Sequence, residues 1–269
     1  MTRAILPHLL SAAATVGLAA PASAQSPRAT LEGHRSGVFS LAFSPDGQIL
    51  LSGSRDGTVI VWNVAEAREK ATAKVHKFDV NAIAISPDAS LVATGSLDNE
   101  IQVYDVKKHD FGARMRGHDA AVEALAFNKD GTYLVSASQD GTIRVWNPRT
   151  GDQKYQMRGH YFEGKPRPVK AIAFSPDGSL LASGGLDGFV RLWDTKTAQQ
   201  VANFNTVVTV ESIAFSPDGK RVAAAGGPGR KVHVWDVNSK TAVFTLEGHT
   251  DGVGEVCYSP DGQLIASAG

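Results

Sequence analysis

The chain has 269 residues, of which 42% are hydrophobic and 20% are charged, as in ordinary globular proteins. Lys and Arg together number 27, and so do Asp and Glu, so no basic field indicates a nucleic-acid partner. The single cysteine, Cys257, excludes an internal disulfide, and we expect it to be a small buried apolar residue of a strand.

Residues 1–24 predict a secretory signal peptide. Arg3 precedes a short apolar run rich in Leu and Ala, and the segment ends in the small-x-small pattern Ala22-Ser23-Ala24. The apolar run is short and interrupted by proline, so it is a poor membrane span. We therefore expect an exported protein of bacterial type, periplasmic or secreted, with no membrane attachment after cleavage. A disordered or membrane-anchoring N-terminus is the alternative.

From residue 31 onward the sequence repeats itself with a period of 42 residues. A second marker, FSPDG or a close variant such as ISPDA, FNKDG or YSPDG, occurs once in each repeat. A period of 40–45 residues is typical of the four-stranded blade of a β-propeller. The residues that keep the interval are His34, His76, His118 and His160, then Trp62, Tyr104 and Trp146, and finally Trp193 and Trp235.

The residues inside one repeat predict strands. VEALAF, YLVSAS and TIRVW are short runs rich in β-branched, aromatic and small apolar residues, and NKDG and QDG between them are turn sequences. No segment between the strands shows a helical period. The sequence therefore predicts an all-β protein.

The Gly-His pair, the SPDG turn, the S-x-S-x-D-G pattern and the closing Trp-Asp or Trp-Asn resemble the WD40 family. The resemblance implies a WD40-type β-propeller over residues 25–269, in which each repeat supplies three strands of one blade and the outer strand of the blade before it. The ATLEGH segment at residues 29–34 would then complete the last blade. We place five complete repeats and a truncated sixth, and expect seven blades in a longer gene product. The repeats lie near residues 33–63, 75–105, 117–147, 159–194 and 204–236, with the partial copy at 248–269.

His118, Ser136 and Asp140 are the three residue types of a nucleophilic hydrolase, but the same set recurs in other repeats. The resemblance implies that the His, Ser, Asp and Trp of one repeat form a buried hydrogen-bonded chain, a role their donors and acceptors permit. Such a satisfied chain makes a blade rigid. A catalytic triad has no reason to recur once per blade, so we expect no enzyme here. The predicted structural network comprises His34, Ser52, Asp56 and Trp62; His76, Thr94, Asp98 and Tyr104; His118, Ser136, Asp140 and Trp146; and His160, Ser183, Asp187 and Trp193.

Two repeats depart from the pattern. The fifth lacks the Gly-His pair, has Ala224 in place of serine, and replaces the Asp-Gly turn with Gly-Pro-Gly. The fourth carries five extra residues in YFEGKPRP, on the face that WD40 proteins commonly use to hold partners. The alternative is a neutral loop insertion. Aromatic and Arg side chains dominate many interfaces. The partner-binding candidates on this top face are Arg35, Arg55, Phe78, Leu97, Gln139, Tyr161, Phe162, Lys165, Arg167 and Leu186.

No zinc, haem, phosphate-loop or nucleophile-elbow motif occurs in the sequence, so we expect no metal and no cofactor. Two functions remain open. The first is a non-catalytic propeller scaffold that binds a protein or peptide on its top face in an exported compartment. The second is the propeller part of a larger exported enzyme, for example a redox enzyme, whose catalytic region lies beyond Gly269.

Overall fold

The computed structural model describes residues 29–206 and 208–269, so the predicted signal peptide lies outside the described residues. All regular secondary structure in the described ranges is β-strand, which confirms the all-β class. Five antiparallel four-stranded sheets follow one another along the chain, and a two-stranded sheet comes after them.

The first three sheets are built from strands β1 to β12. In each sheet the strands lie in chain order. Their bounds are β1 (Val38–Phe43), β2 (Ile49–Ser54), β3 (Thr58–Asn63) and β4 (Arg68–Lys74); β5 (Val80–Ile85), β6 (Leu91–Ser96), β7 (Ile101–Asp105) and β8 (Asp110–Met115); and β9 (Val122–Phe127), β10 (Leu134–Ser138), β11 (Thr142–Trp146) and β12 (Gln153–Arg158).

A short hairpin separates the third and fourth sheets. It consists of β13 (Tyr161–Phe162) and β14 (Lys165–Pro166). The remaining strands are β15 (Val169–Phe174), β16 (Leu180–Gly185), β17 (Phe189–Asp194) and β18 (Gln200–Asn205); β19 (Ser212–Phe215), β20 (Arg221–Ala225), β21 (Lys231–Asp236) and β22 (Ala242–Glu247); and the two-stranded sheet of β23 (Glu255–Tyr258) and β24 (Ile265–Ala268).

The sheets are arranged as propeller blades. The first strands of successive sheets, β1, β5, β9, β15, β19 and β23, each contact the next one, so these strands are innermost. The fourth strands are outermost, and all residues of β4 and β22 are exposed. Because β4 follows Trp62 and precedes His76, each sheet combines three strands of one repeat with a strand that opens the next, as the resemblance implies.

The antiparallel order decides which turns share an end of the molecule. The turns between first and second strands and between third and fourth strands lie at one end, which we call the lower end. The turns between second and third strands, and the connections between sheets, lie at the opposite end, which we call the top face. All ten partner-binding candidates belong to these top-face turns and connections.

The SPDG sequences form tight turns at the lower end for a local reason. In the first sheet Ser44 Oγ donates to Asp46 and accepts a hydrogen bond of 2.9 Å from the backbone N–H of Ile49, while Gly47 takes a φ of 69° that favours glycine. The same serine hydroxyl donates to an aspartate in four later turns. Hydrogen bonds from Ser175 and Ser179 lower the pKa of Asp177 to about 2.

Glycines in the second strands allow neighbouring sheets to approach closely. A Cβ atom on Gly53 would lie 2.7 Å from Val80 of the next sheet, and on Gly95 it would lie 2.5 Å from Val122. Gly184 faces Val210 in the same way, at 2.4 Å. Only a residue without a side chain permits this packing, so in the first, second and fourth sheets the glycine after the network serine or threonine receives a valine from the following sheet.

One expectation from the sequence was wrong, and another is left untested. Residues 29–37 form no strand and the last sheet has two strands, so the pairing of the ATLEGH segment with the last blade stays a prediction. Cys257 is half-buried on β23, less buried than expected, because this sheet is covered on one side only by the fifth sheet.

Candidate functional site

The third sheet contains a continuous hydrogen-bonded chain between the top face and the core. Trp146 Nε1 donates to Ser136 Oγ at 2.8 Å, and Ser136 Oγ lies 2.7 Å from His118 Nε2. His118 Nδ1 lies 2.8 Å from Asp140. The indole can only donate, so Ser136 Oγ accepts from Trp146, and because an ionised carboxylate can only accept, His118 Nδ1 donates to Asp140. Asp140 also accepts from the backbone N–H of Asp119, which fixes the connection that follows the histidine.

The fourth sheet repeats this chain and adds an ion pair. Trp193 Nε1 donates to Ser183 Oγ at 2.8 Å, which in turn lies 2.8 Å from His160 Nε2. His160 Nδ1 lies 2.9 Å from Asp187 and 2.8 Å from a guanidinium nitrogen of Arg191, and this guanidinium lies 2.7 Å from the Asp187 carboxylate. The carboxylate is therefore held from two sides in a site closed to solvent.

The first sheet has the same chain with one longer step. Ser52 Oγ lies 2.6 Å from His34 Nε2 and accepts from Trp62 Nε1 at 2.7 Å. His34 Nδ1 lies 3.7 Å from Asp56 and makes its close contact of 3.0 Å with Thr58 Oγ1 instead. The threonine hydroxyl thus connects the imidazole to the carboxylate.

In the second sheet the structure does not bring Tyr104 into the chain. His76 lies 2.8 Å from Thr94 Oγ1 and 3.1 Å from Asp98. The Tyr104 ring instead packs edge-on against Phe111 of the outer strand, with ring centroids 5.5 Å apart. A phenol carries its hydroxyl at the end of the ring, so it cannot place a donor where the indole N–H lies.

The fifth sheet fills the same space without the chain. Ala224 stands at the serine position and is buried. The Trp235 indole stacks on Phe204, with ring centroids 5.3 Å apart, and on His233 at 5.7 Å. Two stacked rings replace the hydrogen bonds.

Sequence reasoning missed further members of these chains. His249 Nε2 lies 2.8 Å from Ser267 Oγ in the last sheet, a fifth copy of the step from histidine to a hydroxyl that the 18-residue spacing could have indicated. Thr142 Oγ1 donates to Asp140 at 2.6 Å, as Thr58 does to Asp56. The signal was the Asp-Gly-Thr sequence shared by the first and third repeats.

The pKa shifts and the burial of these residues favour a structural role over a nucleophilic one. Burial opposes the charge of Asp140, but hydrogen bonds from His118 and Thr142 outweigh it and lower the pKa of this aspartate. Burial lowers the pKa of His160, although Asp187 acts in the opposite direction. The Asp140 carboxylate is thus ionised, and the buried His160 imidazole is neutral. Ser136 and Ser183 are 0% exposed, so neither hydroxyl is presented to a substrate.

The partner-binding candidates fall into two clusters on the top face. The first cluster is formed by the first and second sheets. The Arg55 guanidinium lies 3.7 Å from Asp79, and the backbone N–H of Leu97 donates to the Asp79 carbonyl. Phe78, next to Asp79 in sequence, is 55% exposed. The backbone N–H of Arg35 donates to Asp56, and the Arg35 side chain is exposed.

The second cluster is formed by the third and fourth sheets and the inserted hairpin. Glu163 and Gly164 both take positive φ values, 52° and 73°, as a two-residue hairpin turn requires. The hairpin leaves Phe162 48% exposed, with the Arg167 guanidinium 5.4 Å from its ring centroid. The other members are Gln139, Tyr161, Lys165 and Leu186, all of which are exposed.

The hairpin is held against the third sheet. A Cβ atom on Gly141 would lie 2.8 Å from Pro166, and the Leu186 backbone N–H donates to the carbonyl of Pro168. Gln139 bonds to Glu123, and Glu123 forms a 2.8 Å ion pair with Lys170 of the next sheet. No sequence pattern indicated this ion pair, because its members lie 47 residues apart.

The described residues contain no group of three or more His, Cys, Asp or Glu side chains placed to hold a metal ion. No helix long and apolar enough to cross a membrane occurs in the described ranges either.

Comparison with known proteins identifies related sequences and folds. A family model described as "WD domain, G-beta repeat" matches residues 25–63, 68–105, 110–147, 151–194, 200–236 and 240–269. The small ribosomal subunit protein RACK1z of Arabidopsis thaliana is 45% identical over 42 residues, which are 16% of this chain and 13% of that protein. The vegetative incompatibility protein HET-E-1 of Podospora anserina is 58% identical over 36 residues, 13% of this chain and 3% of that protein. The chain thus spans a small part of the length of these relatives.

A solved structure described as "Crystal Structure of Mitotic Checkpoint Complex" matches the fold with a TM-score of 0.80 and 25% identity. The match covers 88% of this chain and 73% of that chain. Together with the six matched repeats, it confirms the predicted propeller fold.

Proposed function

This chain belongs to the WD40 family, and we propose that it is a non-catalytic scaffold that binds a protein or peptide partner on its top face in an exported compartment. The observation that carries the proposal is the second cluster. There, an inserted hairpin presents exposed aromatic side chains beside Arg167 and Leu186. A similar protein is named as part of a ribosomal subunit and a similar structure as that of a checkpoint complex, so both similar chains are components of larger assemblies.

The chemistry of the top face supports a protein partner. Phe162 and Tyr161 offer aromatic surface, and Arg167 is stacked on Phe162, so the guanidinium is already ordered before a partner binds. Aromatic and Arg side chains are the groups that most often dominate binding energy in protein interfaces. The His–Ser–Asp chains below support the same face, because they fix the turns from which the candidates project.

The non-catalytic part of the proposal rests on the buried serines. The larger exported redox enzyme, the other candidate, is favoured by no feature of the described residues. Recurrence of the same hydrogen-bonded chain in several sheets is expected if the chain has a structural role. A scaffold requires only a rigid face.

Site-specific photo-crosslinking in the source organism tests the proposal. A photoreactive phenylalanine analogue at Phe162 or Phe78 should crosslink to one and the same protein, identified by mass spectrometry. The matched control carries the analogue at Val243, an exposed residue of the outer strand β22. Equal crosslinking from Val243, or none from either top-face position, would contradict a top-face partner site.

The exported location needs a separate test. N-terminal sequencing of the protein from its source should find Gln25 as the first residue, in the periplasmic or secreted fraction. An intact Met1 in the cytoplasmic fraction would overturn the predicted signal peptide and leave the top-face proposal standing.

A further inference from the structure

A groove opens at the lower end of the molecule, between the third and fourth sheets and away from the top face. Its cavity has a volume of about 350 Å³. Tyr133 and Tyr155 stand at its edge, and Tyr155 is 49% exposed. The floor consists of buried apolar side chains from both sheets, namely Val135, Val145, Met157, Leu181 and Trp193.

The corresponding groove between the second and third sheets is smaller, with a cavity of about 210 Å³. It is spanned by Arg149, whose guanidinium lies 3.5 Å from Ser90 Oγ of the neighbouring sheet. Between the fourth and fifth sheets, Lys240 reaches back in a similar way and donates to the carbonyl of Val201 at 2.8 Å. In both places a cation from a lower-end turn binds the preceding sheet.

The groove between the third and fourth sheets lacks such a link. Ala198 stands at the position that corresponds to Lys240, and Lys196 at the one that corresponds to Arg149. Within the part of the chain that the structure describes, the Lys196 ammonium makes no hydrogen bond. Its neighbour Asp194, which also lines the groove, accepts from the backbone N–H groups of Lys196 and Thr197 at 3.0 and 2.8 Å. Hydrogen bonds from Thr197, and to a smaller extent the charge of Lys196, lower the pKa of Asp194.

We propose that this groove binds a peptide segment that presents a large apolar side chain next to a carboxylate. The apolar side chain fills the cavity over Met157 and Trp193, and the carboxylate pairs with the Lys196 ammonium at the mouth. The volume lies in the range of pockets that bury a ligand. Tyr133 and Tyr155 combine an apolar ring with a polar tip, as side chains at the rim of a binding site commonly do. A charge-assisted contact to Lys196 then selects the acidic ligand.

Methyl NMR of the whole protein tests this site directly. Met157 lines the groove, and Met115 occupies the same position in the second sheet, so their two methyl signals are probe and internal control. The ligands are N-acetyl-phenylalanine, its uncharged amide, N-acetylglycine, and the peptide acetyl-Phe-Asp-amide. The Met157 signal should shift saturably with the first and last ligands, at least about threefold more tightly than with the amide, which is the range of an exposed ion pair. N-acetylglycine should leave it unmoved.

Two variants complete the design. Lys196→Gln should abolish the preference for the acid over the amide, while Lys240→Gln removes the same charge from the neighbouring groove and should leave the preference unchanged. The proposal is overturned if the Met157 signal does not shift at millimolar ligand, if acid and amide bind equally, or if the two variants behave alike. Binding of N-acetyl-phenylalanine without any binding of the peptide would overturn the assignment to a peptide.

Discussion

The third and fifth sheets fill the same space in two ways. In the third, Trp146, Ser136, His118 and Asp140 form a hydrogen-bonded chain. In the fifth, Trp235 beside Ala224 stacks on His233 and on Phe204 of the fourth sheet. Both sheets have the same four-stranded pairing. The comparison teaches that the chain is not needed to form a sheet. The sheet loses stability when one residue of the chain is replaced, because the polar groups of the others are then buried without hydrogen-bond partners.

Removal of the tryptophan should have the largest effect. Trp146→Ala should lower the free energy of unfolding by about 3–5 kcal/mol, through the cavity it leaves. The matched variant Trp235→Ala creates a similar cavity but orphans no serine at position 224, so it should cost about 1 kcal/mol less. Urea denaturation followed by circular dichroism measures both. Equal losses would show that the hydrogen bonds of the third sheet add nothing.

Exchange of the small residue between the two sheets should have an intermediate effect. Ser136→Ala should lower the free energy of unfolding by about 1–3 kcal/mol, since it leaves Trp146 Nε1 and His118 Nε2 unpaired. The reverse change, Ala224→Ser, introduces a hydroxyl opposite His233, the cross-strand partner of residue 224, and should cost less. Urea denaturation checks this pair as well. A larger loss for Ala224→Ser would mean that the stacked arrangement tolerates polar atoms less well than the chain does.

Acidification should have the smallest effect. It compares the fourth sheet, which repeats the hydrogen-bonded chain of the third, with the fifth sheet, through one histidine in each. Burial lowers the pKa of His160 in the fourth sheet and of His233 in the fifth, so each binds a proton more readily in the unfolded state. Their contribution to stability is complete well above the unfolded pKa of about 6.5 and is lost as the pH falls below it.

The variants His160→Gln and His233→Gln measure the two contributions. Each should make the loss of the free energy of unfolding between pH 7.5 and 5.5 less steep, and His160→Gln more so, because His160 is fully buried and His233 is half-buried. Denaturant titrations at both pH values provide the slopes. A slope that His160→Gln leaves at its wild-type value would contradict the neutral imidazole in the fourth sheet.

The strands, the blade order and most network members were predictable, because each property depends on a short stretch that recurs. Asp-Gly between two apolar runs predicts a turn wherever it occurs, and Trp62, Trp146 and Trp193 hold one register in their sheets. Tyr104 shows the limit of this reasoning. Its interval fits the repeat, but the phenol hydroxyl does not lie where the indole N–H of a tryptophan lies. The Tyr104 ring therefore packs against Phe111 instead.

Features between sheets were not predictable from the sequence. The Glu123–Lys170 ion pair, the position of the hairpin against Gly141, and the groove beside Lys196 all join residues of different repeats. They depend on how far apart two sheets lie, and a one-dimensional period carries no information on that distance. The hairpin length was visible, but its contact with Arg167 was not.

The glycine that receives a valine from the following sheet also acts as a spacer for the whole ring. At Gly53, Gly95 and Gly184 an added methyl group would lie less than 3 Å from the facing valine. The third sheet has Ala137 at this position, in one core cluster with Val169 of the fourth sheet. This interface, which also contains the large groove, therefore accommodates a methyl group that the other three do not. The size of a single residue in the second strand thus limits how closely two neighbouring blades can approach.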